Sequence, residues 1–235
     1  MLLLVHHQTA NGRGNANMQI NADFQTSVFI SADDMVWSKS PMAGVHRAML
    51  DRIGDEQARA TSLVRYAPAS KFNRHQHPAG EEILVLEGDF NDEHGHYRAG
   101  TYLRNPNGTT HAPFSIDGCL LLVKLRQFQP ADQVQTQINT RTAHWQAVDD
   151  NIVSLLLHHH GEERVQLLEI QAGTKLPISP EKGGHELLLI SGSIEHRDRK
   201  LPLHSWLRFA SHERDEFLTT ELTKLYWKSG HLPPR

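Results

Sequence analysis

The chain has 235 residues, a formal net charge of −3, 38% hydrophobic residues and a single cysteine. That length holds one large or two small domains with a packed core, and the near-balanced charge excludes a general polyanion binder, so no nucleic-acid partner is expected. No apolar run approaches the roughly 18–20 residues of a membrane helix, and a lone Cys119 excludes an internal disulfide; a cytoplasmic protein with no membrane partner is expected.

In chain order, residues 1–22 read as a disordered tail, polar and glycine-punctuated from Gln8 to Asn17. Met1–Val5 is too short an apolar run, without a basic lead, for a signal peptide, and Met18 offers a second start. Strand-like residues begin at Phe24–Ile30 and again at Met35–Trp37. Val45–Ile53 and Thr61–Tyr66 read as a hairpin around Gly54-Asp55-Glu56. In Glu81–Leu86, Ile83 and Val85 fall on one face, Leu84 and Leu86 on the other, so this strand should be covered on both sides. Residues 89–97 read as a polar turn; His94 and His96 within it are expected to be turn residues rather than an auxiliary site. Gly100–Asn105 and Gly118–Phe128 are further strands, and Cys119 is a core thiol in the second. Residues 129–143 lack a core pattern and read as a linker, with a second unit over 144–235.

The chemistry concentrates in two stretches. His75 and His77 are two apart, so on an extended strand both imidazoles share a face. Glu81 follows after a Pro78-Ala79-Gly80 bend, and His111 follows the Pro106-Asn107-Gly108 turn. Three imidazoles and a carboxylate suit one divalent metal ion: zinc first, with iron, manganese, nickel or copper as the other choices. Glu82 is the rival to Glu81 for the carboxylate. A chance His-x-His is common in a chain with 17 histidines, and it is the spacing of the whole set that carries the argument.

His75-x-His77-x3-Glu81-x6-Gly88 and Gly100-x5-Pro106-x-Gly108-x2-His111 resemble the two cupin motifs. The departures are Ala69 or a neighbour at the leading glycine and Ser115 at the closing asparagine; they touch turn geometry and strand pairing rather than ligands. Glu81–Gly88, Asp92-Glu93-His94-Gly95 and Gly100–Pro106 further resemble the ChrR-type cupins, so 23–128 is expected to be a metal-binding cupin barrel, with Phe114 beside the site and Tyr102 lining it. An offset of 104 maps the first half onto the second: Glu82, Leu84 and Gly88 onto Glu186, Leu188 and Gly192, and Leu103-Arg104 onto Leu207-Arg208. The fold expected is therefore all-β, two tandem cupin (jelly-roll) barrels. His75, His77, Glu81 and His111 map onto Ser179, Glu181, His185 and Asp215, so the second barrel is expected to be degenerate and metal-free. His158-His159-His160 reads as an exposed turn.

No residue of the motifs is an evident acid, base or nucleophile, so any catalysis would be metal-centred. The resemblance to ChrR implies zinc and a regulatory or sensing module acting on an extracytoplasmic-function sigma factor under oxidative stress, although no helical, cysteine-bearing sigma-binding domain precedes Phe24. The alternative is a metal-dependent dioxygenase acting on a diketone-like or aromatic small molecule, as in related cupins. A homodimer is expected from the same resemblance.

Overall fold

The computed structural model describes residues 18–55 and 57–233; His6, His7 and most of the expected tail, and Glu56 of the expected turn, lie outside the described residues. The molecule is all-β, with one 3-10 turn at Ala32–Asp34 and no α-helix among the described residues. No helix there is long and apolar enough to cross a membrane.

Two antiparallel barrels repeat one topology. In the first, the strands run in the order Gln19–Ile20, Val45–Ile53, Arg59–Tyr66, Cys119–Leu125, Glu81–Asp92, Thr101–Asn105 and Thr136–Asn139. In the second, they run Gln146–Ala147, Ile152–His160, Glu163–Ile170, Thr223–Ser229, His185–Ser191, Trp206–Phe209 and Val28–Ile30. The last strand in each list comes from outside the barrel's own segment. Val28–Ile30 pairs with the second barrel, Ile30 opposite Trp206, and Thr136–Asn139 pairs with the first, Ile138 opposite Tyr102. Each barrel thus borrows its edge strand from the stretch that precedes the other. The stretch read as a linker over 129–143 thus contains a strand: Thr-Gln-Ile-Asn is a half-exposed edge strand with one apolar residue, too short and polar to show a core period. Gln19–Ile20, expected in the tail, also pairs with Ile53 and Arg52.

The turn expected at 89–97 is smaller. The Glu81–Asp92 strand runs past Gly88 and pairs with Gly95–Arg98, leaving only Glu93 and His94 between. Buried Phe90 stands opposite Tyr97, but polar neighbours hide this pair from a search for a period.

Alternation along the strands of the first barrel builds two cores. Ile83, Val85, Leu103, Leu121 and Val123 fill the interior of the first barrel. Leu84, Tyr102, Leu120 and Leu122 point the other way and meet Leu188, Trp206 and Tyr226 of the second barrel. The Glu81–Leu86 strand is therefore covered on both faces, as its two-sided apolar pattern requires. The outward rows also carry charges into this junction. Lys228 Nζ lies 2.7 Å from Glu82 and 2.9 Å from Glu163, and Lys124 Nζ lies 2.5 Å from Glu186. Arg104 reaches Glu82, Asp132 and Glu163, while Tyr226 Oη donates to Glu82. These charged residues repeat at the offset of 104: Glu82 with Glu186, Arg104 with Arg208, Lys124 with Lys228. Each barrel answers the other's carboxylate with its own lysine. Burial raises the Glu82 carboxyl, but Lys228, Arg104 and Lys124 overcome it and hold it down to about 2.

His158 corrects the exposed-turn reading of the histidine run. A register shift between Leu156 and His158 breaks the alternation, so Leu157 and His158 are both buried, and His158 Nε2 lies 2.8 Å from Asp132.

Removing one member of this network strands a buried charge. Lys228→Met should destabilise the protein by about 3–5 kcal/mol in urea denaturation, whereas Lys175→Met, which breaks an exposed pair with Glu216, should leave the midpoint unchanged. The depressed Glu82 carboxyl stabilises the fold above its ordinary value of 4.5, and that contribution is lost as pH falls from there through about 2. Denaturation at pH 6 and pH 2 should therefore differ by about 3 kcal/mol from this group, and Glu82→Gln should remove that part of the slope.

Candidate metal centre

His75–Gln76 and Thr110–His111 form a two-stranded ribbon of their own, with His75 directly opposite His111. The His77 backbone N–H extends the ribbon by donating to Thr109 O. The chain then bends at Ala79 and Gly80, both at positive φ. Only glycine fits position 80, because a Cβ there would sit 2.3 Å from the Phe128 ring. The bend starts the next strand at Glu81 with that side chain facing inward. The Ala69 departure from the motif is legible here, since this alanine holds φ 57, the left-handed region a glycine would enter freely. Ser115 stands where asparagine is usual and donates to Asp89 O at 2.6 Å, tying its strand to the next.

The structure brings His75, His77, Glu81 and His111 together, with one potential ligand atom from each all within 4.8 Å of one another. His77, Glu81 and His111 are buried at 3%, 5% and 2% exposure, and His75 is half-buried. Each imidazole spends Nδ1 on the protein. His75 Nδ1 lies 2.8 Å from Asn73 O, His77 Nδ1 2.9 Å from Thr109 Oγ1, and His111 Nδ1 3.1 Å from Asp92 Oδ2. Thr109 donates its own proton to Pro106 O, so it accepts from His77. Carbonyl, hydroxyl and carboxylate acceptors all assign the proton to Nδ1 and turn a bare Nε2 inward. Glu81 Oε2 lies 3.2 Å from His77 Nε2 and 3.5 Å from His111 Nε2, and Asn105 Nδ2 donates to the same oxygen at 3.1 Å.

His77 Nε2 and His111 Nε2 are buried without a hydrogen-bond partner, a cost of about 1–3 kcal/mol each. Donors at about 2.1 Å from one centre would stand roughly 3.0–3.4 Å apart in octahedral or tetrahedral geometry; the 3.2 Å between Glu81 Oε2 and His77 Nε2 falls in that range, the 3.5 Å to His111 Nε2 just above it, and the four ligand atoms together span up to 4.8 Å. The donor set fits a divalent ion. Burial lowers the His77 pKa, with Glu81 opposing it. At His111 burial also lowers the pKa, but the Asp92 hydrogen bond and the Glu81 charge outweigh it and the net shift is upward.

Glu82 is not part of this cluster; it points into the barrel junction. Tyr102, expected to line the site, is likewise fully buried in the junction, on the opposite face of its strand from Leu103. The aromatic rings in contact with the imidazoles are Phe72, 5.2 Å from His75, and Phe90, 5.9 Å from His111, while Phe114 is 37% exposed. His94 is exposed and near Thr110 O, and His96 pairs with Asp89. Cys119 is buried, and burial pushes its thiol up to about 11. Asp92, Asn105 and Thr109 were not singled out from the sequence. Asn105 and Thr109 lie at unassigned positions within the second motif, and the signal for Asp92 is the Asp-x-x-Gly hairpin tip.

In the second barrel the corresponding residues do not converge. His185 Nε2 bonds to Ser179 O at 2.9 Å and its Nδ1 accepts from Trp227 Nε1, while Asp215 pairs with His196 and Arg197. Leu176, Ile178, Phe217 and their neighbours pack the interior.

His75→Ala and His111→Ala should abolish most metal uptake, and added metal should then no longer raise the melting temperature. His94→Ala should change neither metal content, measured by elemental analysis, nor the metal-induced shift.

Comparison with known proteins agrees with the fold. The ChrR cupin-like domain model matches residues 25–129. No curated protein matches the chain. Among solved structures, a candidate dioxygenase from Nostoc punctiforme superposes with a TM-score of 0.72 at 14% identity, covering 90% of this chain and 85% of the other. The Escherichia coli pirin YhhW in complex with nickel(II) gives 0.65 at 12% identity, covering 89% and 100%. Salicylate 1,2-dioxygenase from Pseudaminobacter salicylatoxidans gives 0.59 at 10% identity, covering 84% and 76%. The chain accordingly has the fold of two tandem cupin barrels, and its residues 25–129 match the ChrR cupin-like domain model.

Proposed function

We propose that this protein is a metal-dependent dioxygenase-type enzyme for a small diketone-like or aromatic molecule, with a single ion held by His75, His77, Glu81 and His111. The observation that carries this reading is the asymmetry of the cluster. Two bare, buried Nε2 atoms and Glu81 form a closed floor, and the half-buried His75 marks the open side. When bound, the ion supplies Lewis-acid or one-electron chemistry at the coordination positions the four side chains leave open. The chain's own part is to hold the Nδ1 protons away from the ion through Asn73, Thr109 and Asp92, and to orient Glu81 through Asn105. Phe72 and Phe90 offer apolar, aromatic surface beside the ligands, which suits a flat organic substrate. The described dioxygenase folds among its structural neighbours support this reading.

A second reading is a sensing module of the ChrR kind, in which zinc fills a closed four-ligand site and a sigma factor is the partner. The family match over residues 25–129 favours it. The two readings separate on the metal. Protein purified without oxygen should contain iron and consume oxygen when given diketones or hydroxyaryl ketones, and the activity should vanish with His111→Ala. Zinc in the native protein with no oxygen uptake would overturn the enzyme in favour of the sensor.

A further inference from the structure

We propose that the Asp92-Glu93 hairpin tip is a positioning element for the metal centre: Asp92 dictates which nitrogen of His111 faces the ion, and Glu93 locks the two histidine-bearing strands together. This rests on the metal-centre reading, but neither residue is in the ligand cluster.

Asp92 is held from one side only. Its Oδ1 accepts from His94 N at 2.8 Å, Gly95 N at 3.0 Å and Tyr97 Oη at 3.0 Å, which fixes the carboxylate. That leaves Oδ2 for His111 Nδ1, with the Asp92 side chain 5% exposed. Glu93 spans the ribbon. Its Oε2 accepts from Ala112 N at 2.8 Å, and its Oε1 pairs with Arg74 Nη2 at 2.5 Å. Ala112 follows His111 and Arg74 precedes His75, and these two histidines face each other across the ribbon. A ribbon of two residues per strand is marginal on its own, so an outside clamp across its ends decides how closely the two imidazoles are held.

Substitution by asparagine separates geometry from bulk. In Asp92→Asn, Oδ1 can keep its three donors, and the amide NH2 then faces His111. Nδ1 must accept, the ring proton moves to Nε2, and the ligand atom is blocked. Side-chain 1H–15N spectra of the metal-free protein at alkaline pH should show His111 as the Nδ1–H tautomer in the wild type and as Nε2–H in Asp92→Asn. Cobalt(II) affinity, measured by chelator competition, should fall about 10–100-fold with unchanged far-ultraviolet circular dichroism. Glu93→Gln and Arg74→Gln break the same arm of the clamp at side chains 29% and 59% exposed, so both should fold. They should weaken cobalt binding by a similar, smaller factor, and the double variant no further. Unchanged cobalt affinity in Asp92→Asn and Glu93→Gln, with wild-type binding intact, would overturn this proposal alone. A wild-type protein that binds no cobalt, nickel, iron or zinc would overturn the metal-centre reading and this proposal with it. Were Asp92→Asn to unfold, the equality of the two surface variants decides the clamp, and the wild-type tautomer decides the role of Asp92.

Discussion

Neighbouring side chains on a strand face opposite ways, and at Glu81-Glu82 this rule assigns two adjacent carboxylates to two different sites. Glu81 turns into the first barrel beside three imidazoles; Glu82 turns into the junction, where Lys228 and Arg104 from either barrel hold it ionised. The next strand does the same with Arg104 and Asn105, the first in the junction and the second on Glu81. The candidate metal centre and the interface between barrels therefore draw on alternate residues of the same two strands. A one-residue slip of either strand would place a charge in each site against the wrong partners. The exchanged edge strands, Val28–Ile30 and Thr136–Asn139, add backbone pairing to this dependence of one barrel on the other.

The second barrel keeps the arithmetic of the first but not its cluster. At the offset of 104, the His77–Glu81 pair becomes Glu181–His185 and the Asp92–His111 pair becomes His196–Asp215, acid and base interchanged in both. Such an exchange preserves a complementary pair but not a set of converging lone pairs. Ser179 in place of His75 offers only its carbonyl, to which His185 turns, and Trp227 satisfies the other ring nitrogen. A packed apolar interior and a matched outer face are what a structural partner requires, and those are the parts the repeat retains.

The fold and the convergence of His75, His77, Glu81 and His111 were legible in the sequence because both rest on short-range spacing: a period of two in the strands, and motif intervals that survive any loop conformation. What escaped was set by tertiary contact. Thr136–Asn139 is a strand only because Thr101–Arg104 offers it an edge. His158 is buried only because a bulge at Leu157 turns it inward, and Tyr102 leaves the site because its whole row faces the junction. Asp92 stands 19 residues from His111 in sequence, and no interval joins a hairpin tip to the imidazole it supports. Glu81 and Glu82 are adjacent and chemically alike, so the choice between them turned on motif spacing; the structure supplies the physical reason in the direction each side chain takes.

The central claim is that three imidazoles, each fixed through Nδ1, present Nε2 to one ion together with a carboxylate oxygen. X-ray absorption of the metal-loaded protein at the metal edge tests this most directly, because imidazole rings add outer-shell scattering that counts them. The expected spectrum has three imidazoles and one or more oxygen donors at roughly 2.0–2.2 Å. A spectrum with no imidazole scattering, or with fewer than two imidazoles, would contradict the claim.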